Sequence, residues 1–116
     1  MRLARESRAP NNAAMLQLRP VCEHCAKPLP PAASDARICS FECTFCANCV
    51  DDVLQGVCPN CGGGFAPRPV RPAHNWVRGN YLGDYPAATE VKHRPVAPAT
   101  QAELIARIGG RAPGER

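Results

Sequence analysis

Cysteine is the residue through which this chain could do chemistry, and all eight copies fall between Cys22 and Cys61. They run Cys22-x2-Cys25-x13-Cys39-x3-Cys43-x2-Cys46-x2-Cys49-x8-Cys58-x2-Cys61. Thiolates can close a tetrahedral zinc site, pair as disulfides, or cycle as a redox dithiol. A Cys-x2-Cys knuckle delivers two sulfurs to one ion from a single tight turn. Three knuckles are present, Cys22/Cys25, Cys46/Cys49 and Cys58/Cys61, with Cys39/Cys43 as a fourth pair. Cys22-x2-Cys25-x20-Cys46-x2-Cys49 fits the spacing of a four-cysteine zinc site at its upper limit. Cys39-x3-Cys43-x14-Cys58-x2-Cys61 remains as a second quartet, interleaved with the first. Two zinc ions per chain then use every sulfur. Neither ion keeps a position for water, so both metals read as structural rather than catalytic.

The elements that must hold these sulfurs are small. A chain of 116 residues allows one small domain with tails. The cysteine block has few apolar residues, chiefly Leu29, Ile38, Phe45, Val50, Leu54 and Val57. A domain of that size needs a metal, disulfides or a partner to stay folded. The N-terminus is basic and polar without an apolar signal core, and no stretch approaches a membrane span. A reducing cytoplasm is the expected compartment, which favours zinc over a disulfide scaffold. Redox Cys-x-x-Cys chemistry would need a βαβ context that the pattern lacks.

Ile38 to Phe45 should form a short hairpin with Ser40, Phe41 and Glu42 at its tip. Asn48 to Gln55 should be a short helix, because Val50, Val53, Leu54 and Val57 recur at i, i+3, i+4 and i+7. Asp51 and Asp52 suit its first turn, and Gly56 its end. Four segments follow. Residues 1–14 read as a disordered extension, with Met15 as a second candidate start. Residues 15–65 form the metal domain, 66–99 a proline-rich basic tail, and 100–110 a short C-terminal helix. Thr100 and Glu103 should cap that helix as a capping box, with Leu104, Ile105 and Ile108 on one face and Gly109-Gly110 at its end.

Charge is segregated along the chain. Residues 22–65 carry net −3, against +3 for residues 1–21 and +4 for residues 66–116. Eight thiolates and two divalent ions take the cysteine block to −7. The metal domain is therefore a poor partner for nucleic acid, which only the basic arms could bind, and weakly. His24 lies inside a knuckle and should point outward, not ligate; His74 and His93 read as solvated. Arg68, Arg71 and Arg78 read as a solvated tail before they read as a phosphate or acidic-partner site. Trp76, Tyr81 and Tyr85 are as consistent with packing as with binding. Gly62-Gly63-Gly64 lacks the Lys and Ser/Thr of a phosphate loop, and suits a flexible exit whose amides reach thiolate sulfur.

The interleaved quartets resemble the RING-finger cross-brace over residues 22–61, in an all-cysteine form with Cys43 where histidine is usual. Phe45 before the fifth ligand and Pro59 after the seventh are similar too. The resemblance implies a small zinc-stabilised domain with a RING-like cross-brace, built from one short hairpin and one short helix. Active RING ligases present an aliphatic residue where this chain has His24, and often a basic residue where it has Gly62. Both departures argue against ubiquitin transfer. A narrower resemblance rests on Met15 to Pro20, Ala36 to Cys46, Cys58 to Gly63 and Tyr85 to Glu90. These stretches are similar to a bacterial family of small cysteine-rich proteins catalogued as a domain of unknown function. No nucleophile–base pair is present, so a non-enzyme is expected. The expected role is protein–protein interaction, through a patch near Leu29, Val53 and Leu54. Nucleic-acid binding and thiol or zinc redox sensing are the alternatives.

Overall fold

A computed structural model describes residues 15–116; the extension expected over 1–14 lies outside the described residues. The hairpin forms where the pattern places it. β1 (Ala36–Ile38) and β2 (Thr44–Cys46) pair antiparallel, with Arg37 opposite Phe45. Cys39 N donates to Cys43 O, and Glu42 takes a left-handed φ of +67° to turn the tip. A third strand was not expected from the sequence. β3 (Ala66–Pro67) pairs antiparallel on the far side of β1, giving the order β2-β1-β3. Pro67 has no N–H, and an outer strand is where a sheet tolerates that.

α1 (Ala47–Cys49) follows β2 directly and continues as a π-helical stretch, Val50–Leu54. Its apolar stripe meets the core: Val50, Leu54 and Val57 are buried and Val53 partly so. Gln55, a non-glycine residue with φ +52°, already takes the left-handed cap, one position before Gly56. Gly56 N closes the end onto Val50 O. Phe45 meets Phe65 edge-on, ring centroids 5.6 Å apart. The patch expected around Leu29, Val53 and Leu54 is not a surface. Leu29 and Leu54 are 1% and 0% exposed and belong to the core, because so small a domain needs its few large apolar side chains to pack around its sulfurs.

Parts of the proline-rich stretch pack on this core, and Arg68, read as solvated, is buried there. Arg68 is 4% exposed, and its guanidinium donates to Arg19 O, Leu29 O and Pro30 O. Ala88 N donates to Leu18 O, and Arg94 N to Glu23 O. His24 does not point freely outward: its Nδ1 accepts from Val96 N, and its carbonyl meets His93 Nε2. Proline-rich chain has few donors of its own to satisfy, so it can follow the domain surface and use the carbonyls the domain leaves free.

α2 (Pro98–Ile108) starts earlier than the capping-box reading. Ala97 is the N-cap without a side-chain bond, Pro98 occupies the first turn, and Thr100 lies inside the helix. Proline fits there because its missing N–H is one the helix would leave unpaired anyway. Gly109, φ +64°, ends the helix as expected. Among the described residues no helix is long and apolar enough to cross a membrane.

Gln101 pins α2 to the domain. It is 3% exposed, and its Nε2 donates to Leu54 O and Val57 O, carbonyls at the end of the first helix. Gln101→Leu removes both donations and leaves buried Val57 O unpaired, with Leu54 O keeping only Val57 N, a loss of about 1–3 kcal/mol. Hydrogen exchange should show α2 amides losing protection while those of β1 and β2 keep it. Unchanged α2 protection would show that the glutamine does not anchor the helix.

Candidate metal centres

Three short elements bring the first group together. The turn after Val21, stabilised by Cys22 N to Lys27 O and Ala26 N to Cys22 O, carries Cys22 and Cys25. The end of β2 carries Cys46, and α1 carries Cys49. These four sulfurs all lie within 4.8 Å of one another, and Cys25 Sγ is 3.8 Å from Cys46 Sγ. Zinc–sulfur bonds of about 2.3 Å in a tetrahedron put the sulfurs about 3.8 Å apart. The spacing therefore fits a divalent ion, and it exceeds the bonding distance of a disulfide, about 2 Å.

The second group stands at the other end of the hairpin. Cys39 and Cys43 flank its tip, and Cys58 follows the π-helical stretch. Their three sulfurs lie within 4.8 Å of one another. Cys61, expected as the fourth ligand, is exposed, and its sulfur stands outside this compact trio. It belongs to the last knuckle, which closes through Gly62 N to Cys58 O and Cys58 N to Gly63 O. Gly63 N donates to Cys61 Sγ at 3.3 Å, the amide-to-sulfur bond the glycine run suggested. Gly62 takes φ +78°, a conformation that suits glycine there.

Amide donors surround the sulfurs. Phe41 N donates to Cys39 Sγ and Asn60 N to Cys58 Sγ. Asn60 Nδ2 adds a bond to Cys43 Sγ at 3.3 Å. Such donors orient ligands and stabilise their charge. For Cys22, burial works to raise the pKa, but the N–H groups of Cys25, Cys46 and His24 outweigh it and hold the thiol below its ordinary value. The same contest, with Phe41 and Cys43 donating, lowers Cys39. Burial pushes Cys49 far up, reinforced by the Cys46 and Cys25 sulfurs. Cys58 rises as strongly, by burial first and then by the neighbouring Cys43 and Cys39 charges, against the Asn60 and Cys61 amides. Cys25 and Cys43 rise too, mainly by burial. Each group thus favours some thiolates while resisting full ionisation, a conflict that a bound cation resolves.

Two residues near the centres carry more than the sequence suggested. Glu23, 3% exposed, accepts from Thr44 N and from Arg19 Nη1, each at 2.7 Å, so a buried carboxylate ties the first knuckle to β2. Asn60 reaches the second group through its side chain, and its place inside a Cys-x2-Cys knuckle was the available signal. His24, His74 and His93 stand outside both sulfur groups.

The uneven second group leads to a testable difference. Cys58→Ser should cost one whole ion, dropping metal per chain by one. Cys61→Ser should keep that ion on the three gathered sulfurs but hold it more weakly. Competition with a graded series of chelators, read by metal stoichiometry, checks this. Equal loss in both variants would place Cys61 on the same footing as the buried three.

The family described as "Protein of unknown function (DUF1272)" matches residues 15–71. The relative named "Uncharacterized protein R02474", from Rhizobium meliloti (strain 1021), is 56% identical over 75 residues, 65% of this chain and 82% of that protein. No solved structure matches the chain. The matched stretch contains both sulfur groups and β1 to β3, and with the similarity to the Rhizobium protein it establishes that the chain belongs to the DUF1272 family.

Proposed function

We propose that the chain is a structural two-zinc module, cross-braced in the manner of a RING finger, that acts by binding another protein. The observation that carries the metal reading is the gathering of cysteines from four separate places into two compact sulfur groups. An all-sulfur donor set favours zinc over harder ions; the first group supplies four thiolates, and the second supplies three with Cys61, on the Cys58 knuckle, as the fourth. The interleaving supports the cross-brace. Cys39 and Cys43 serve one group, Cys46 and Cys49 the other, and β2 runs directly between them.

The protein-binding reading is supported by where the fold uses its cations. Arg68 and Arg71 hold backbone carbonyls, and Arg116 reaches Gly56 O and Gly62 O. That leaves the basic tail with fewer free charges for phosphate, against a metal block that is itself anionic. The test is salt dependence. Binding of a protein or peptide that survives high salt supports the module reading. Retention of oligonucleotides with a steep loss of affinity in salt, abolished by removing residues 66–116, would reject it.

A further inference from the structure

One loop is built to display apolar side chains rather than hide them. Residues 72–82 close on themselves through Leu82 N to Pro72 O at 2.9 Å. Inside, Asn80 N donates to Val77 O, and Gly79 N to Asn75 Oδ1 at 2.8 Å. Arg71 ties the foot, donating to Tyr85 O and Leu16 O. The loop is thus fixed by hydrogen bonds to itself and to the domain. Yet Trp76 is 77% exposed and Val77 58%. Arg78 beside them holds φ +47°, a left-handed conformation uncommon for a residue with a side chain. Gly79 follows at φ +79°, and a Cβ there would run into Asp84 Oδ2. Strain and exposure of this kind, held in place by surrounding bonds, are features of binding loops.

We propose that this loop is the docking element of the module, and that its partner is a protein segment presenting an apolar slot or anchor flanked by acidic side chains. The proposal rests on the protein-binding reading above and names its surface. Charge complementarity selects the partner. Within residues 72–82 stand Arg78 and His74 and no Asp or Glu; Arg68 and Arg71 are held by carbonyls, and Asp84 lies beyond the loop against Gly79. Of these, Arg78 adjoins the exposed pair directly in sequence. Tryptophan and arginine are the residue types that most often dominate protein interfaces, and a preformed loop spends little entropy on binding. A single-stranded nucleic acid is the weaker match. Val77 offers no ring to stack on, and His74 meets Trp76 edge-on at 87°, not as a continued stacking track.

Trp76 is the only tryptophan in the chain, so its emission reports directly on the loop. The experiment pans a displayed library of random linear peptides on the metal-loaded full chain, then measures the enriched peptides on wild type, Trp76→Ala, Arg78→Glu and Phe41→Ala. Phe41 is 72% exposed at the hairpin tip and serves as the control for a merely sticky aromatic. Metal content and circular dichroism confirm that each variant is folded. The expected peptides carry Asp or Glu around an apolar residue, shift the Trp76 emission to the blue, and bind Trp76→Ala and Arg78→Glu about tenfold or more weakly, with Phe41→Ala unchanged. Peptides indifferent to Trp76→Ala would overturn the loop assignment while leaving the module reading in place. Peptides without acidic enrichment would overturn the stated partner. A library that yields no binder would sink both. Oligothymidylate that shifts Trp76 emission where peptides do not would replace this proposal with nucleic-acid binding.

Discussion

Excess chelator under reducing conditions should unfold residues 22–61 as one unit and release the packed tail with them. Apolar burial in this domain is spread over a few side chains around Phe45 and Leu54. A core this small supplies roughly 3–5 kcal/mol, while structural zinc contributes about 10–16 kcal/mol in finger peptides at neutral pH. On the proposed two-zinc reading, folding of the domain is metal binding. The tail follows because its anchors are domain carbonyls: Arg68 on Leu29 O, Gln101 on Leu54 O and Val57 O, Arg94 N on Glu23 O. Circular dichroism and amide-proton dispersion should collapse together, and acid should act like chelator because protons compete for thiolates. Native dispersion that persists without metal would mean the sulfurs are not what holds this fold. Cys46→Ser should also loosen the other centre, since Cys46 ends the strand that begins beside Cys43.

The largest expected effect away from the sulfurs belongs to Arg68. Its three carbonyl acceptors come from Arg19, Leu29 and Pro30, so one side chain ties the N-terminal segment, the loop after the first knuckle and β3 together. Burial presses its guanidinium toward neutrality, with Asp35 opposing. A charge kept there in spite of that is held by its carbonyls. Arg68→Ala leaves the buried Leu29 O and the part-buried Arg19 O without their donor, while Pro30 O keeps Ala33 N, a loss of about 3 kcal/mol. For a domain of this size that lowers the melting temperature of the metal-loaded protein by roughly 12–24 °C. Arg71→Ala, whose carbonyl bonds lie nearer solvent, should cost under about 1 kcal/mol. Similar melting curves for the two variants would show that the buried position of Arg68 carries no special weight.

These residues also mark what was legible in the sequence. The sulfur groups were legible because metal coordination dictates local spacing, and seven of the eight cysteines gather as their spacing suggested. The hairpin and the helical stripe were legible because turn residues and a 3.6-residue period are local signals. Arg68 was not. A charged residue among prolines reads as solvated, and only the folded chain shows three carbonyls converging on it. β3 was hidden for the same reason: two residues, one of them Pro67, carry no period, and their pairing depends on β1 having a free edge. Gln101 was missed because its anchoring partners lie 44 and 47 residues away. Leu29 and Leu54 were misplaced on a surface because the sequence does not reveal that the tail and hairpin close over them.

Two zinc ions, each held by cysteine thiolates from interleaved quartets, brace this fold on the proposed reading. Native mass spectrometry of the reduced chain, purified without chelator, should find two zinc ions per chain and eight cysteines free of disulfides. One ion per chain, no metal at all in a folded chain, or disulfides in place of metal would contradict that reading.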